Sequence, residues 1–148
     1  MITEAQVTPV LTVAAGYVAG DYVGTSATPM TFALDFWAGA IYSATLIDYA
    51  LQSVACELWL FDTAVTPPND SAAWSISDAD AKTCIGVIPF STYYASALNS
   101  VSPAPSVGLA FQAQGTKAIY GCLVTRGAPT YASGDLTIRL EILPVENV

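Results

Sequence analysis

The sequence has no histidine in its 148 residues and only four basic side chains, Lys82, Lys117, Arg126 and Arg139. The first absence removes Ser-His-Asp and Cys-His nucleophilic machinery, HExxH zinc sites and the commonest general base. The second excludes a nucleic-acid partner, which requires clustered cations to neutralise phosphates; here the four stand singly. Cysteine is scarce as well. Cys56, Cys84 and Cys122 are odd in number and far apart, with neither CxxC spacing nor a histidine to complete a zinc site. Each lies in an apolar, strand-like run, so all three are expected as buried, reduced thiols, inaccessible until the protein is denatured. Gly16, Gly20 and Gly24 lack the spacing and the following helix of a phosphate-binding loop. No stretch reaches the roughly 20 consecutive apolar residues of a spanning helix. The longest runs, around Ala38–Ala50 and Val54–Phe61, are broken by Ser43, Thr45, Asp48 and Glu57. Met1 to Gln6 have neither a basic nor an apolar region, so no signal peptide is predicted and a cytosolic product is expected.

Charge of either sign is sparse. Twelve acidic residues set the formal charge at -8 and the isoelectric point near 4.1. Only 11% of residues are charged and 53% are hydrophobic, with a mean hydropathy of +0.50. Ordinary soluble domains carry about 25% charge. Abundant serine and threonine cover part of the deficit, and a surface hidden in an assembly is expected to cover the rest. The length suits one domain, residues 1–148, long enough to bury roughly 68–70% of its unfolded surface.

Apolar residues recur mainly with a period of two, which predicts strands. The clearest run is Leu136–Ile142, where leucine and isoleucine alternate with threonine, arginine and glutamate. Others are Val7–Val13, Met30–Phe36, Ile41–Leu51, Ala55–Phe61, Cys84–Phe90, Val107–Gln112 and Ile119–Thr125. Gly20–Pro29, Thr66–Asp70, Gln114–Lys117 and Gly127–Thr130 read as turns or loops, and Val101–Ser106 as an extended, proline-marked stretch. Helix is predicted only over Ser77–Lys82, where Ser77 caps a turn whose first residues include Asp78 and Asp80, and as a short turn over Tyr93–Leu98. About eight antiparallel strands in this length predict an all-β sandwich of jelly-roll type. Met1–Gln6 precede the first predicted strand and read as an arm toward a neighbour.

The candidate chemistry is thin. Asp62, Asp70, Asp78 and Asp80 crowd one connection and form the only pool for a carboxylate pair or a calcium site. Asp78 and Asp80 lack the third ligand and glycine of an EF-hand loop, so capping and solvated loop charge is the reading taken. Glu57 and Glu141 fall on the polar faces of their strands, and Arg126 is expected to pair with a nearby carboxylate or carbonyl. Trp59 and Phe61 share one face of a strand and read as core. Trp74, Tyr93 and Tyr94 lie in or beside loops, and with Met1 and Ile2 they are the candidate interface residues. No catalytic residue, metal ligand or cofactor is assigned.

One longer pattern stands out. It runs from Ala55–Phe61 through Pro67, Pro68, Asn69 and Asp70 to Ala73–Asp80 and Ile85–Phe90, then Ile119–Val124, Ala128–Tyr131 and Leu136–Leu140. This stretch, Ala55 to Leu143, resembles small proteins encoded among the head genes of tailed bacteriophages that act as capsid decoration or cement proteins. The resemblance implies a jelly-roll-like module without enzymatic activity, located on the capsid surface of a virion assembled in host cytoplasm. It implies the major capsid protein as partner and a homo-oligomer, with a trimer favoured over a dimer, and neither membrane nor nucleic acid. A carbohydrate- or receptor-binding sandwich is the competing expectation, followed by a tail-associated structural protein.

Overall fold

The structure, a computed structural model, describes residues 1–145; residues 146–148 of the predicted domain lie outside them. Eleven strands and one short helix follow in order. They are β1 (Thr3–Val7), β2 (Tyr22–Val23), β3 (Met30–Ala33), β4 (Ala38–Asp48), β5 (Cys56–Phe61) and α1 (Asp78–Ala81). Then come β6 (Cys84–Phe90), β7 (Tyr94–Ala95), β8 (Ser100–Ala104), β9 (Leu109–Gln112), β10 (Ala118–Thr125) and β11 (Leu136–Val145). All pairings are antiparallel.

Two sheets pack as a sandwich. The six-stranded sheet runs β1-β11-β4-β8-β7, with β9 also beside β4; the five-stranded sheet runs β2-β10-β5-β6, with β3 also beside β10. Because β8 and β9 share one side of β4, and β2 and β3 one side of β10, the segments occupy eight ladder positions plus the two-residue β7. These positions pair first with eighth, second with seventh, third with sixth and fourth with fifth. That nesting is a jelly roll, an antiparallel hairpin rolled into two sheets.

Alternation places the core between the sheets. Along β11, Leu136, Ile138, Leu140 and Ile142 point inward opposite Ile41, Ala44 and Leu46 of β4, and meet Leu58, Leu60, Ile119 and Leu123 of the facing sheet. A bulge between Glu141 and Ile142 leaves Tyr42 without a partner on β11 and turns its ring to solvent. The long connection 62–83 folds back over the outer face of the five-stranded sheet and seals a second cluster of Tyr22, Phe61, Val65 and Cys122. Trp59 and Phe61 do share a face, but it is this outer one, where Phe61 is buried and Trp59 half-buried.

Five local readings are corrected. The first strand is Thr3–Val7, not Val7–Val13: Pro9 denies the ladder a donor, whereas Thr3, Ala5 and Val7 pair with Ile142, Leu140 and Ile138. Thr3–Gln6 are therefore built into the sheet and do not form an arm. Tyr22–Val23 form a short strand inside the predicted Gly20–Pro29 loop. Tyr93–Leu98 form no helical turn; Tyr94–Ala95 pair with β8, and Ser96 and Asn99 close the turn after them. Val101–Ala104 belong to β8, and the pairing with β7 reaches only Val101, so Pro103 sits where β8 forms the sheet edge. The helix is where it was predicted, with the Ser77 hydroxyl accepting from Asp80 N.

Candidate functional site

The carboxylates of the 62–83 connection are dispersed into structural roles. Asp70 is buried and accepts from Val13 N (2.8 Å), Gly24 N (3.1 Å) and the Tyr17 hydroxyl (3.0 Å), while its own N–H donates to Ser26 Oγ. Burial and then the Asp70 charge push the Tyr17 phenol above its ordinary value. Asp80 accepts from Thr66 N at 3.0 Å, Asp78 opens α1, and Asp62 is held above the usual carboxylate range by burial. Two further buried carboxylates, Asp48 and Asp21, also serve the backbone: Asp48 accepts from Ala50 N and Ser53 N, both at 2.8 Å, and Asp21 from Val18 N at 2.9 Å. Among the described residues no three acids or cysteines converge as metal ligands.

The cysteines divide. Cys56 and Cys122 are buried, and burial pushes their thiols up to about 11 and about 12. Cys84 is only half-buried, because it sits on the outer face of the edge strand β6. The three-thiol burial expected from the sequence is corrected at that position. On the same outer face, Arg126 meets Glu57 at 2.8 Å and the Trp59 indole N–H donates to the same carboxylate oxygen at 3.2 Å, so the expected partner of Arg126 is a carboxylate. That hydrogen bond and charge lower the Glu57 carboxyl.

The five candidate interface residues fall in three separate places. Trp74 packs against Trp59 and Tyr22, with ring centroids 5.4 and 6.0 Å away, and anchors the long connection. Tyr93 is half-buried, its hydroxyl donating to Val54 O at 2.7 Å. Tyr94 stands 68% exposed on β7, at the edge of the six-stranded sheet opposite to β1; Met1 and Ile2 are exposed just before β1.

The structure brings other residues together. The β1–β2, β4–β5, β6–β8 and β10–β11 connections meet at one end of the sandwich. Tyr17 N donates to Pro129 O at 2.8 Å, Tyr49 N to Asp135 O at 2.8 Å, Thr130 N to Gln52 Oε1 at 3.0 Å and the Ser53 hydroxyl to Ser100 Oγ at 2.9 Å. Val10, Val13, Val18, Tyr49, Leu51 and Leu98 are exposed on these connections, and so is Tyr94 between β6 and β8. The sequence did not mark them, because an apolar residue in a loop carries no periodicity to say whether it faces in or out. The available signal was the near absence of charge from the segments that hold them.

A second feature is an apolar groove of about 320 Å³ between β6 and the β8–β9 turn, lined by Val87, Ile88, Pro89, Ala104, Val107 and Leu109, with Pro105 and Ser106 at the turn. Beside it, a Cβ at Gly86 would lie 2.7 Å from Cδ2 of the lining residue Leu109. Among the described residues no helix is long and apolar enough to cross a membrane. No protein-family model matches the chain, and no curated protein is significantly similar to it.

Proposed function

We propose that this protein is a structural component of a tailed-bacteriophage virion, a capsid decoration or cement protein that binds the outside of the head and stabilises the shell. The observation that carries the reading is the surface. Among the described residues, fourteen large apolar side chains stand exposed, from Met1 and Val10 to Leu98 and Val145, on a chain with only 11% charged residues. We read these side chains, on a chain with so little charge, as surface that partners cover. Covering about 800 Å² per partner would hide much of it, either between copies in a cyclic oligomer, a trimer before a dimer, or against the major capsid protein.

The mechanism is mechanical. Binding to the assembled lattice, and not to free subunits, stabilises the lattice by mass action. The rigid jelly roll, with its loops tied to one another by hydrogen bonds, supplies a unit that bridges neighbouring subunits without reorganising. The reading assigns no catalytic step and no cofactor. Imaging of purified particles at modest resolution tests the location, and heads lacking the protein test the role. Density on the head surface, with heat and osmotic resistance lost when the protein is absent, is expected. Heads equally robust without it, or a glycan-array signal from protein that does not bind heads, would overturn the proposal.

A further inference from the structure

β1 is an edge of the six-stranded sheet, paired on one side with β11 and on the other with no strand among the described residues. The other edge strands are short or interrupted. β2 and β7 have two residues each, and β3 and β9 four each. β6 carries Pro89 and a register shift, and Pro103 breaks the part of β8 that lies beyond β7. β1 offers five residues, Thr3–Val7, with neither proline nor bulge. Its charges are ordered in rows across the sheet. Glu4 stands opposite Glu141 of β11 and Gln6 opposite Arg139, and both Glu4 and Gln6 are exposed. One row therefore holds two carboxylates, and the row two residues on holds the cation. Arg139 Nε lies 3.5 Å from Glu141, and no hydrogen bond satisfies it.

We infer that the free edge of β1 takes a second copy of this chain, the two β1 strands pairing antiparallel about a two-fold axis at Ala5. Residues directly opposite in an antiparallel pair share a face of the sheet, so the axis falls on a residue and not between two. An axis at Glu4 would set that carboxylate against its own copy. An axis at Gln6 would move Thr3 onto Pro9, which has no N–H to give. At Ala5 all five residues pair, Thr3 with Val7 of the second copy and Glu4 with its Gln6. Beyond that glutamine, in the same row, stands Arg139 of the second copy. It is two strand spacings from Glu4, roughly 10 Å of backbone, a gap that the two side chains can span. The axis thus sets the acidic row of each copy against the basic row of the other, twice over. The like-charge contact of Glu4 with Glu141 is relieved, and Thr3 and Val7, half-buried at the edge, are covered. Such an interface is isologous and closes as a dimer, where the proposed function sets a trimer first.

Sedimentation velocity on the purified full chain tests the pairing with two variants. Gln6→Glu suits its own sheet, because it adds a carboxylate beside Arg139, yet it places two like-charge pairs across the seam. Glu4→Lys added to it puts a cation beside Glu141 and restores opposite charges across the seam. Neither change opposes its neighbour on β11, and melting curves check that both variants are folded. The wild type is expected as a dimer at micromolar concentration, Gln6→Glu as a dimer about fivefold weaker or more, and the double variant at least as tight as the wild type. A monomeric or trimeric wild type, a Gln6→Glu dimer as tight as the wild type, or a double variant no tighter than Gln6→Glu would each overturn the β1 pairing. The pairing stands apart from the decoration reading: a dimer that ignores phage heads would keep the first and lose the second.

Discussion

The Tyr17 hydroxyl donates to the Asp70 carboxylate at 3.0 Å across 53 residues of sequence, inside a site that also gathers Val13 N and Gly24 N. One buried side chain thus ties the β1–β2 connection, the end of β2 and the long connection together. Asp70→Ala leaves these donors without an acceptor and should destabilise the protein by about 2–4 kcal/mol in urea unfolding, against about 1 kcal/mol for Tyr17→Phe. A Tyr17→Phe, Asp70→Ala double variant no worse than Asp70→Ala alone would confirm that the two act as one unit.

Thiol labelling should be graded. Without denaturant, Cys84 reacts first, from its half-buried place on β6, while Cys56 and Cys122 wait for unfolding. Mass spectrometry after timed alkylation measures the order. Rapid modification of Cys56 would contradict its place in the main core.

Alkaline pH should weaken the fold. Burial raises Cys56 from 9.0 to about 11 and Cys122 from 9.0 to about 12, so the native state keeps protons that the unfolded chain releases. Their contribution is complete below about pH 9 and is lost as pH rises through the folded values. The phenols of Tyr17, Tyr22, Tyr93 and Tyr131 are raised too, burial first among the causes, and extend the loss above pH 10. Urea midpoints measured from pH 7 upward should fall beyond about pH 9. Cys56→Ala should flatten the early part of that fall.

Glycine at position 39 is required by backbone proximity. A Cβ there would lie 2.7 Å from the Leu143 carbonyl oxygen, across the β4–β11 ladder. Gly39→Ala should lower stability by about 1–3 kcal/mol, because a ladder oxygen cannot swing aside as a flexible side chain can. Gly16→Ala is the control. Its Cβ would meet nothing nearer than Thr130 Oγ1 at 3.8 Å, and its effect should stay within about 0.5 kcal/mol.

The sandwich was legible wherever one strand face met the core. Leu136–Ile142 and Cys84–Phe90 alternate or run apolar for that reason, and both are strands in the structure. Legibility failed where pairing is decided by a distant partner. Thr3–Val7 offers only Ala5 and Val7 as apolar side chains, and pairing with β11 makes it a strand. Tyr94–Ala95 is likewise defined by β8. Of the candidate contact residues, Tyr94, Met1 and Ile2 are exposed, but Trp74 and Tyr93 are occupied by partners that sequence spacing cannot reveal. The gathering of four charge-poor connections at one end follows from topology and has no linear signature.

Nested pairing also dictates an order of events during synthesis. The β5–β6 ladder draws on residues within Cys56–Phe90 and can close early, while β1 must wait until β11 has left the ribosome. In the interval β4 has emerged without β11, its longest partner, and at first without β8 and β9 as well, leaving Ile41 and Leu46 uncovered. Non-local pairing of this kind is slow and exposes sticky edges to other chains. Yield in the cell should therefore depend on how quickly translation delivers β11 and on chaperones that shield β4 until it arrives.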